Sequence, residues 1–396
     1  MPRALWLLVL GMVVNVTGSS FLWPLNAIYI NGHLGKSLTV AGIVLMLNAG
    51  ASVVGNLIGG ILFDKLGGYR SIMTGIAITL VSLTGLNFWH EWPYYVFFLL
   101  FIGFGSGIVF PSIYALAGSV WKEGGRRAFN AIYVAQNAGV AIGAALGGVV
   151  ADYSFDYIFL ANLSMYLVFF VIAFFGYRNI AHQSVQQTNV LKENKKIINK
   201  NKFTALLILC GAYLLCWVGY VQWQSTIATY TQEINISLKQ YSILWTINGL
   251  MIVFGQPFLR PLIKRFDQNL KGQIILGISI FMVSFAVAGN AGAFKGFVAA
   301  MVIITIGEML VWPAIPTIAN QLAPKGREGF YQGIVNSTAT GGRMIGPLFG
   351  GILVDLYGMS ILFYVLIGLL IIGIFLTVFH DRLLKRNENV TVSEFL

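Results

Sequence analysis

Two ionisable residues fall near the middle of long apolar runs, and they define the chemistry open to this chain. Glu308 lies within Ile-Thr-Ile-Gly-Glu-Met-Leu-Val-Trp-Pro (304–313), inside an apolar run from Gly296 to Leu322. A carboxylate at a bilayer midplane is costly, so it faces protein or water and marks a functional site by default. It can carry a proton or contact a substrate. It can also be a structural carboxylate, held protonated or paired with a neighbouring helix. Arg343 lies close to the middle of the following apolar run. A buried guanidinium stays charged and needs a partner. The sequence predicts that Glu308 and Arg343 come close enough to interact. A nearby guanidinium favours the ionised carboxyl group, whereas low-dielectric surroundings favour the neutral one. A group balanced between these effects can take up and release a proton. A static ion pair joining two helices is the plainer alternative.

The elements that must position these residues are membrane helices. Of 396 residues, 57% are apolar and only 10% are charged. A soluble chain of this length would carry about 25% charged residues. Many apolar runs exceed the roughly 18 residues needed to cross a bilayer. We read twelve spans, at 5–30, 38–63, 71–89, 94–121, 128–151, 157–177, 204–231, 240–264, 272–290, 295–322, 329–354 and 360–380. The start, Met1-Pro2-Arg3 and then an apolar run, is similar to a signal peptide, but the run has no Ala-x-Ala-like site and is expected to remain as the first span. The longest polar stretch, from Arg178 to about Lys202, is too short for a separate soluble domain. It divides the chain into an N-terminal half at 1–180, a basic linker at 181–203 and a C-terminal half at 204–396.

The net charge of +11 does not point to nucleic acid, because Lys and Arg concentrate in alternate loops. One set carries Arg3, Lys65, Arg70, Lys122, Arg126, Arg127, the linker, Lys264, Arg265, Lys271, Lys325, Arg327, Arg382, Lys385 and Arg386. The opposite set carries only Lys36, Lys239 and Lys295. The positive-inside rule then places both termini and the linker in the cytoplasm; the membrane expected is the cell's inner (plasma) membrane. Cys210 and Cys216 share one apolar run and read as core residues. No His-Glu-x-x-His, phosphate loop or Gly-x-Ser-x-Gly turn is present, and the four histidines, His33, His90, His182 and His380, fall at span ends or in loops. These features argue against an enzyme or an ATP-driven pump, and no cofactor or metal is expected. The partners expected are a small-molecule substrate, protons and the lipid bilayer, with the chain acting as a monomer.

An internal repeat supports the two halves. Gly139, Gly143, Gly147, Gly148 and Asp152 recur as Gly342, Gly346, Gly350, Gly351 and Asp355, all displaced by 203 residues. Small residues at this spacing let membrane helices approach closely. Pro347 follows Gly346 in the second copy. Between the second and third spans stands Gly60-Ile-Leu-Phe-Asp64-Lys65-Leu-Gly67-Gly-Tyr-Arg70. Gly60 permits close helix approach, Gly67 a tight turn, and Asp64 can face the positive end of a neighbouring helix. This stretch resembles the loop signature of the major facilitator superfamily, Gly-x-Leu-Ala-Asp-Arg-x-Gly-Arg-Arg/Lys. The match is at Gly60, Leu62, Asp64 and Gly67, conservatively at Lys65, with Arg70 two positions beyond the usual basic residue. Pro24-Leu-Asn26-Ala27-Ile-Tyr29 and Gly103-Phe-Gly105-Ser-Gly107 with Pro111 resemble its bacterial drug/proton antiporter branch. Two departures are Ala27 in place of a proline and Leu99 in place of the arginine associated with proton coupling.

The resemblance implies an all-α fold of twelve transmembrane helices in two pseudo-symmetric six-helix bundles, with the Asp64 loop gating alternating access. It also implies a cavity lined mainly by spans 1, 4, 7 and 10, with 2, 5, 8 and 11. Polar and aromatic residues concentrate in those spans: Asn15, Trp23, Asn26, Asn48, Tyr114, Gln136, Asn137, Trp217, Tyr220, Trp223, Asn248, Met309, Trp312 and Asn336. Each could equally bridge two helices. Spans 3, 6, 9 and 12 are mostly plain aliphatic and aromatic residues. The leading expectation is a proton-coupled exporter of hydrophobic or amphiphilic compounds. The alternatives are a transporter of a specific metabolite, anionic and contacted by Arg343, a lipid translocator, or a non-transporting membrane sensor.

Overall fold

The structure is a computed structural model and describes residues 1–22, 26, 29–36, 38–153, 155–178, 180, 200–266 and 269–382. Trp23, the segment 181–199 and the C-terminal 383–396 lie outside the described residues, as do the basic positions expected there. The described residues are mostly helical: α1 (Arg3–Leu22), α2 (Leu38–Leu66), α3 (Gly68–Phe88), α4 (Tyr94–Val120), α5 (Arg126–Tyr153), α6 (Phe155–Ile172), α7 (Lys200–Tyr220), α8 (Thr226–Glu233), α9 (Leu238–Phe254), α10 (Gln256–Lys264), α11 (Leu270–Gly289), α12 (Phe294–Leu322), α13 (Glu328–Tyr357) and α14 (Met359–Phe379).

Nine helices among the described residues are long and apolar enough to cross a bilayer. The other expected spans form helices of more polar composition or shorter length. α5 carries Asn130, Gln136 and Asn137, and α13 carries Gln332, Asn336 and Arg343. The span expected at 240–264 is instead two helices meeting at Gly255, with Pro257 in the first turn of α10. Proline fits an opening turn, where its missing N–H costs nothing, and it cannot continue a helix through that point. The span expected at 204–231 lies within one continuous apolar helical stretch, Lys200–Glu233, with a change of helix type inside it. α7 ends at Tyr220, a 3₁₀ turn covers Val221–Gln224, and α8 follows. The cause is local side-chain competition: Gln222 accepts from the Thr226 hydroxyl and donates to the carbonyls of Val218 and Gly346. Within the first expected span, α1 covers Arg3–Leu22, Asn26 is helical and a π-helical turn covers Tyr29–His33, while 23–25, 27 and 28 lie outside the described residues.

The chain forms two compact units, Met1–Asn194 with Lys325–Thr340, and Lys195–Pro324 with Gly341–Leu396. The opening turns of α13 therefore pack with the first unit. In that unit α1 packs on α5 and α6, and α2 and α3 pack on α4. Its core includes Leu8, Met12, Ile72, Ile76, Phe129 and Phe169. In the second unit α11 packs on α12 and α14, α7 on α12 and α14, and α9 on α12.

Glycines set these distances. A Cβ at Gly139 would lie 2.8 Å from the Val13 carbonyl and from Cβ of Val16, and one at Gly143 would lie 2.6 Å from Cβ of Ser20. In the second unit a Cβ at Gly342 would lie 2.6 Å from Cβ of Trp217, one at Gly346 would strike Val221, and one at Gly350 would strike the Gln222 amide. Both glycine repeats thus form seams, α5 on α1 and α13 on α7. The packing of Gly147 lies outside the described residues. Pro347 sits inside α13. Within the seam, Gly143→Val is expected to cost about 1–3 kcal/mol through overpacking. Gly42→Ala, where nothing lies within 4 Å, should be near neutral. Thermal unfolding of the purified protein in detergent checks both.

Candidate functional site

Glu308 is the fifteenth of the 29 residues of α12, and it is 3% exposed. Its neighbour Gly307 fixes it in place. A Cβ there would lie 2.7 Å from the Gly277 carbonyl on α11, so the two backbones touch beside the carboxyl group. Two donors converge on Oε2: the Tyr220 hydroxyl at 2.9 Å, from the end of α7, and Nδ2 of Asn248 at 2.8 Å, from α9. Nδ2 of Asn248 also donates to Thr305 Oγ1 at 3.0 Å. Thr305 precedes Glu308 by three residues and so shares its helix face. Three helices therefore meet at one carboxyl oxygen.

An aromatic cluster adjoins it. Trp312, one turn beyond Glu308, stacks on Trp217 with centroids 4.6 Å apart and planes within 2°. Tyr220 meets both indoles edge-on, at 5.5 and 5.6 Å. Tyr213 and Phe281 meet Trp312 at 5.5 and 5.4 Å, and Trp245 meets Tyr220 at 6.3 Å. Each such pair contributes about 0.5–1.5 kcal/mol beyond area burial. The guanidinium of Arg343 lies over the Trp217 ring, 4.9 Å from its centroid. Gly342, against Trp217 Cβ, brings the arginine to that height. A contact chain thus runs from Arg343 through Trp217 and Tyr220 to Glu308. Past the carboxylate, α12 contains Pro313 and Pro316, and the Thr317 hydroxyl donates to the Pro313 carbonyl at 2.7 Å.

The Asp64 loop has its own geometry in the first unit. Oδ1 accepts from the Gly329 N–H at 2.8 Å and Oδ2 from the Phe330 N–H at 2.9 Å. These are opening N–H groups of α13, which have no partner within their own helix. The carboxylate also meets the positive end of the helix dipole. Close approach depends on Gly60, where a Cβ would collide with the Gly329 backbone. Gly67 has φ 84°, a left-handed value that glycine adopts without strain, and it turns the chain into α3. Lys65 and Arg70 are exposed.

The comparisons with known proteins agree with this architecture. The family model described as Major Facilitator Superfamily matches residues 8–269 and 224–392. The chain belongs to the major facilitator superfamily. It is a multi-pass membrane transporter for small molecules and not an enzyme. It is 64% identical over 385 residues to YttB, an uncharacterized MFS-type transporter of Bacillus subtilis (strain 168), covering 97% of each chain. It is 26% identical over 357 residues to the multidrug resistance protein MdtH of Salmonella arizonae, covering 89% of this chain and 86% of MdtH. Its fold is similar to the crystal structure of a bacterial homologue of the iron transporter ferroportin in the outward-facing state. That match has a TM-score of 0.78 and 15% identity, covering 96% of this chain and 100% of the other.

The remaining expected residues of this superfamily member do not all join one cluster. Asn26 accepts from the Tyr95 hydroxyl at 2.6 Å, and the Tyr114 hydroxyl donates to Gln136 at 3.2 Å. Asn137 and Asn336 donate to carbonyls of their own helices, one turn back. Asn15 is 1% exposed, and neither of its polar atoms has a partner among the described residues; Oδ1 of Asn48 also has none. Trp223 is fully buried, and its carbonyl accepts from the Tyr241 hydroxyl. Met309 is fully buried too. Thr305, Tyr213, Trp245 and Phe281 were not singled out in the sequence. Thr305 and Tyr213 were signalled by helical spacing to Glu308 and Trp217. Phe281 lies in the ninth span, one of those set aside as plain.

Removing the Tyr220 hydroxyl tests the convergence on Glu308. Tyr220→Phe is expected to cost about 1–3 kcal/mol, the range for a hydrogen bond to a buried or charged group. Most of that cost should vanish in the Glu308→Ala background, which removes the acceptor, read as a double-mutant cycle of unfolding midpoints.

Proposed function

We propose that this transporter exports hydrophobic or amphiphilic compounds by alternating access, coupled to proton movement through Glu308. The observation that supports this reading most is the enclosure of Glu308 at the centre of α12, with Tyr220 and Asn248 donating to one oxygen. An intramembrane carboxyl group held by neutral donors keeps its hydrogen bonds when its charge changes, because hydroxyl and amide groups tolerate either form. Arg343, reached through Trp217 and Tyr220, supplies a positive charge in the same unit. The name of MdtH supports multidrug efflux as the substrate range. In this reading the halves 1–180 and 204–396 rock about the linker 181–203, with both termini in the cytoplasm. Asp64, Gly60, Gly67, Lys65 and Arg70 act as the gating loop, and the chain works as a monomer in the inner membrane.

Proteoliposomes with an imposed pH gradient provide the test. A panel of lipophilic ions and neutral dyes is added, and proton flux is compared between wild type and Glu308→Gln. Substrate-driven flux is expected to fall at least about tenfold in the variant, as one lost proton-transfer group implies. Unchanged flux would remove Glu308 as the carrier.

A further inference from the structure

We propose that α10 docks an anionic phospholipid of the inner leaflet, with its phosphate held by Arg260, Lys264 and Arg265 and an acyl chain lying along Phe254 and Phe258. The site is separate from Glu308, and it takes from the reading above only that the end of α10 is cytoplasmic. The break at Gly255 makes α10 a helix of 9 residues, Gln256–Lys264. Among the described residues, α9, from which it continues, is the one element on which it packs to any extent. Its two sides differ in kind. Helical spacing puts Arg260 and Lys264, one turn apart, on one side and Phe258, Leu259 and Leu262 on the other. Arg265 follows in helical conformation (φ −65°, ψ −20°), two turns past Phe258 and in line with it, where the two sides meet.

Both sides are open. Phe258 is 85% exposed, and Phe254, the last residue of α9, is 67% exposed. Arg260, Lys264 and Arg265 are exposed, and their side chains have no hydrogen bond, ion pair or ring contact among the described residues. Lys271, the next basic residue, is different: it binds Asp381 at 2.6 Å and donates to the Val378 carbonyl. From Ile234 to Gly307 the sequence holds one acidic residue, Asp267, which lies outside the described residues. Cations at the end of a helix offset its negative pole, which accounts for Lys264 and Arg265 but not for Arg260, in the middle of α10. Arg260 and Lys264, one turn apart, repel each other until an anion joins them. Along the chain, bare apolar rings come first and unpaired cations last, which is the order of a phospholipid from tail to head. A soluble phosphate or an acidic peptide matches the cations and leaves the rings in place of nothing. A short basic helix with phenylalanine on its other side suits the boundary between acyl chains and anionic headgroups.

The test uses the full chain in detergent and phosphatidylglycerol with a photoreactive acyl chain. Crosslinks are mapped by peptide mass spectrometry and are expected within 254–265. Unlabelled phosphatidylglycerol should compete for that crosslink at least about tenfold better than phosphatidylcholine with the same chains, since each cation near an anionic surface is worth roughly fivefold. The triple variant Arg260→Gln, Lys264→Gln, Arg265→Gln should lose the preference. Arg3→Gln, Arg127→Gln, Lys325→Gln removes the same charge from other exposed positions and should keep it. Phe258→Ala retains every cation and should weaken both lipids together. Equal competition by phosphatidylcholine, crosslinks that map elsewhere, or equal loss in the control variant would each overturn the proposal. Displacement by glycerol phosphate at matched concentration would assign the cations to a soluble anion, and a dimer dissolved by Phe258→Ala would assign the face to a second copy. Sidedness is read from Arg265→Cys with a membrane-impermeant thiol reagent, the native Cys210 and Cys216 being buried. Labelling from the outer side alone would sink this inference and the cytoplasmic placement together. Cytoplasmic labelling with no lipid preference sinks the lipid site alone, and none of these readouts involves Glu308 or substrate.

Discussion

A carboxyl group placed at the centre of an apolar helix must be supplied with donors, and the second unit is built around that requirement. Leaving such a group unsatisfied costs more than any single packing contact returns. The donors come from two other helices, α7 and α9, so the cost of burying Glu308 becomes a constraint that registers three helices against one another. The Trp217–Trp312 stack lies one turn away, on α7 and α12, with Trp245 of α9 and Phe281 of α11 against its neighbours. Its rings therefore take their positions from the same register.

Glycine does the complementary work. Hydrogen bonds fix direction, but only close backbone approach brings short side chains within range. Gly307 against Gly277 brings α12 and α11 into contact beside Glu308, and Gly342 against Trp217 brings Arg343 to the ring face. In the first unit, Gly60 against Gly329 lets the short side chain of Asp64 reach two backbone N–H groups at the start of α13. Without water in the bilayer core, helix association leans on such packing and on interhelical hydrogen bonds more than on hydrophobic burial. Asp64, Glu308 and Arg343 each stand beside a glycine that lets two helices come this close.

Much of this was legible in the sequence. The apolar runs gave the helices, because only helices satisfy a backbone in lipid within one segment. The Gly60–Arg70 loop gave the family, and Asp64 meets the helix end that its charge suggested. Glu308 was visible because a single carboxylate in a long apolar run has no bland composition to hide in. The partners were harder. Tyr220 and Asn248 stood among many polar residues of equal promise, and which of them converge depends on helix rotation that spacing alone does not set. Phe281 was overlooked because a plain aromatic in a plain span carries no signal until its neighbour is known. The break at Gly255 was overlooked because apolar composition continues across it, and the 3₁₀ turn inside the Lys200–Glu233 stretch because Gln222 competes with its own helix through a side chain.

The prolines of α12 have a mechanical consequence. Pro313 and Pro316 supply no N–H, so the carbonyls of Met309 and Trp312 receive no helical bond from them, and the Thr317 hydroxyl adds a back-bond of the kind that bends helices. The helix is packed closely on α11 at Gly307, beside Glu308, and lacks two backbone hydrogen bonds shortly after it. Bending strain arriving from either end of α12 will gather in the few residues just past the carboxyl group, as in a rod notched beside its mount. Trp312 lies within the notch, so the ring that stacks on Trp217 rides on the most compliant turn of the helix.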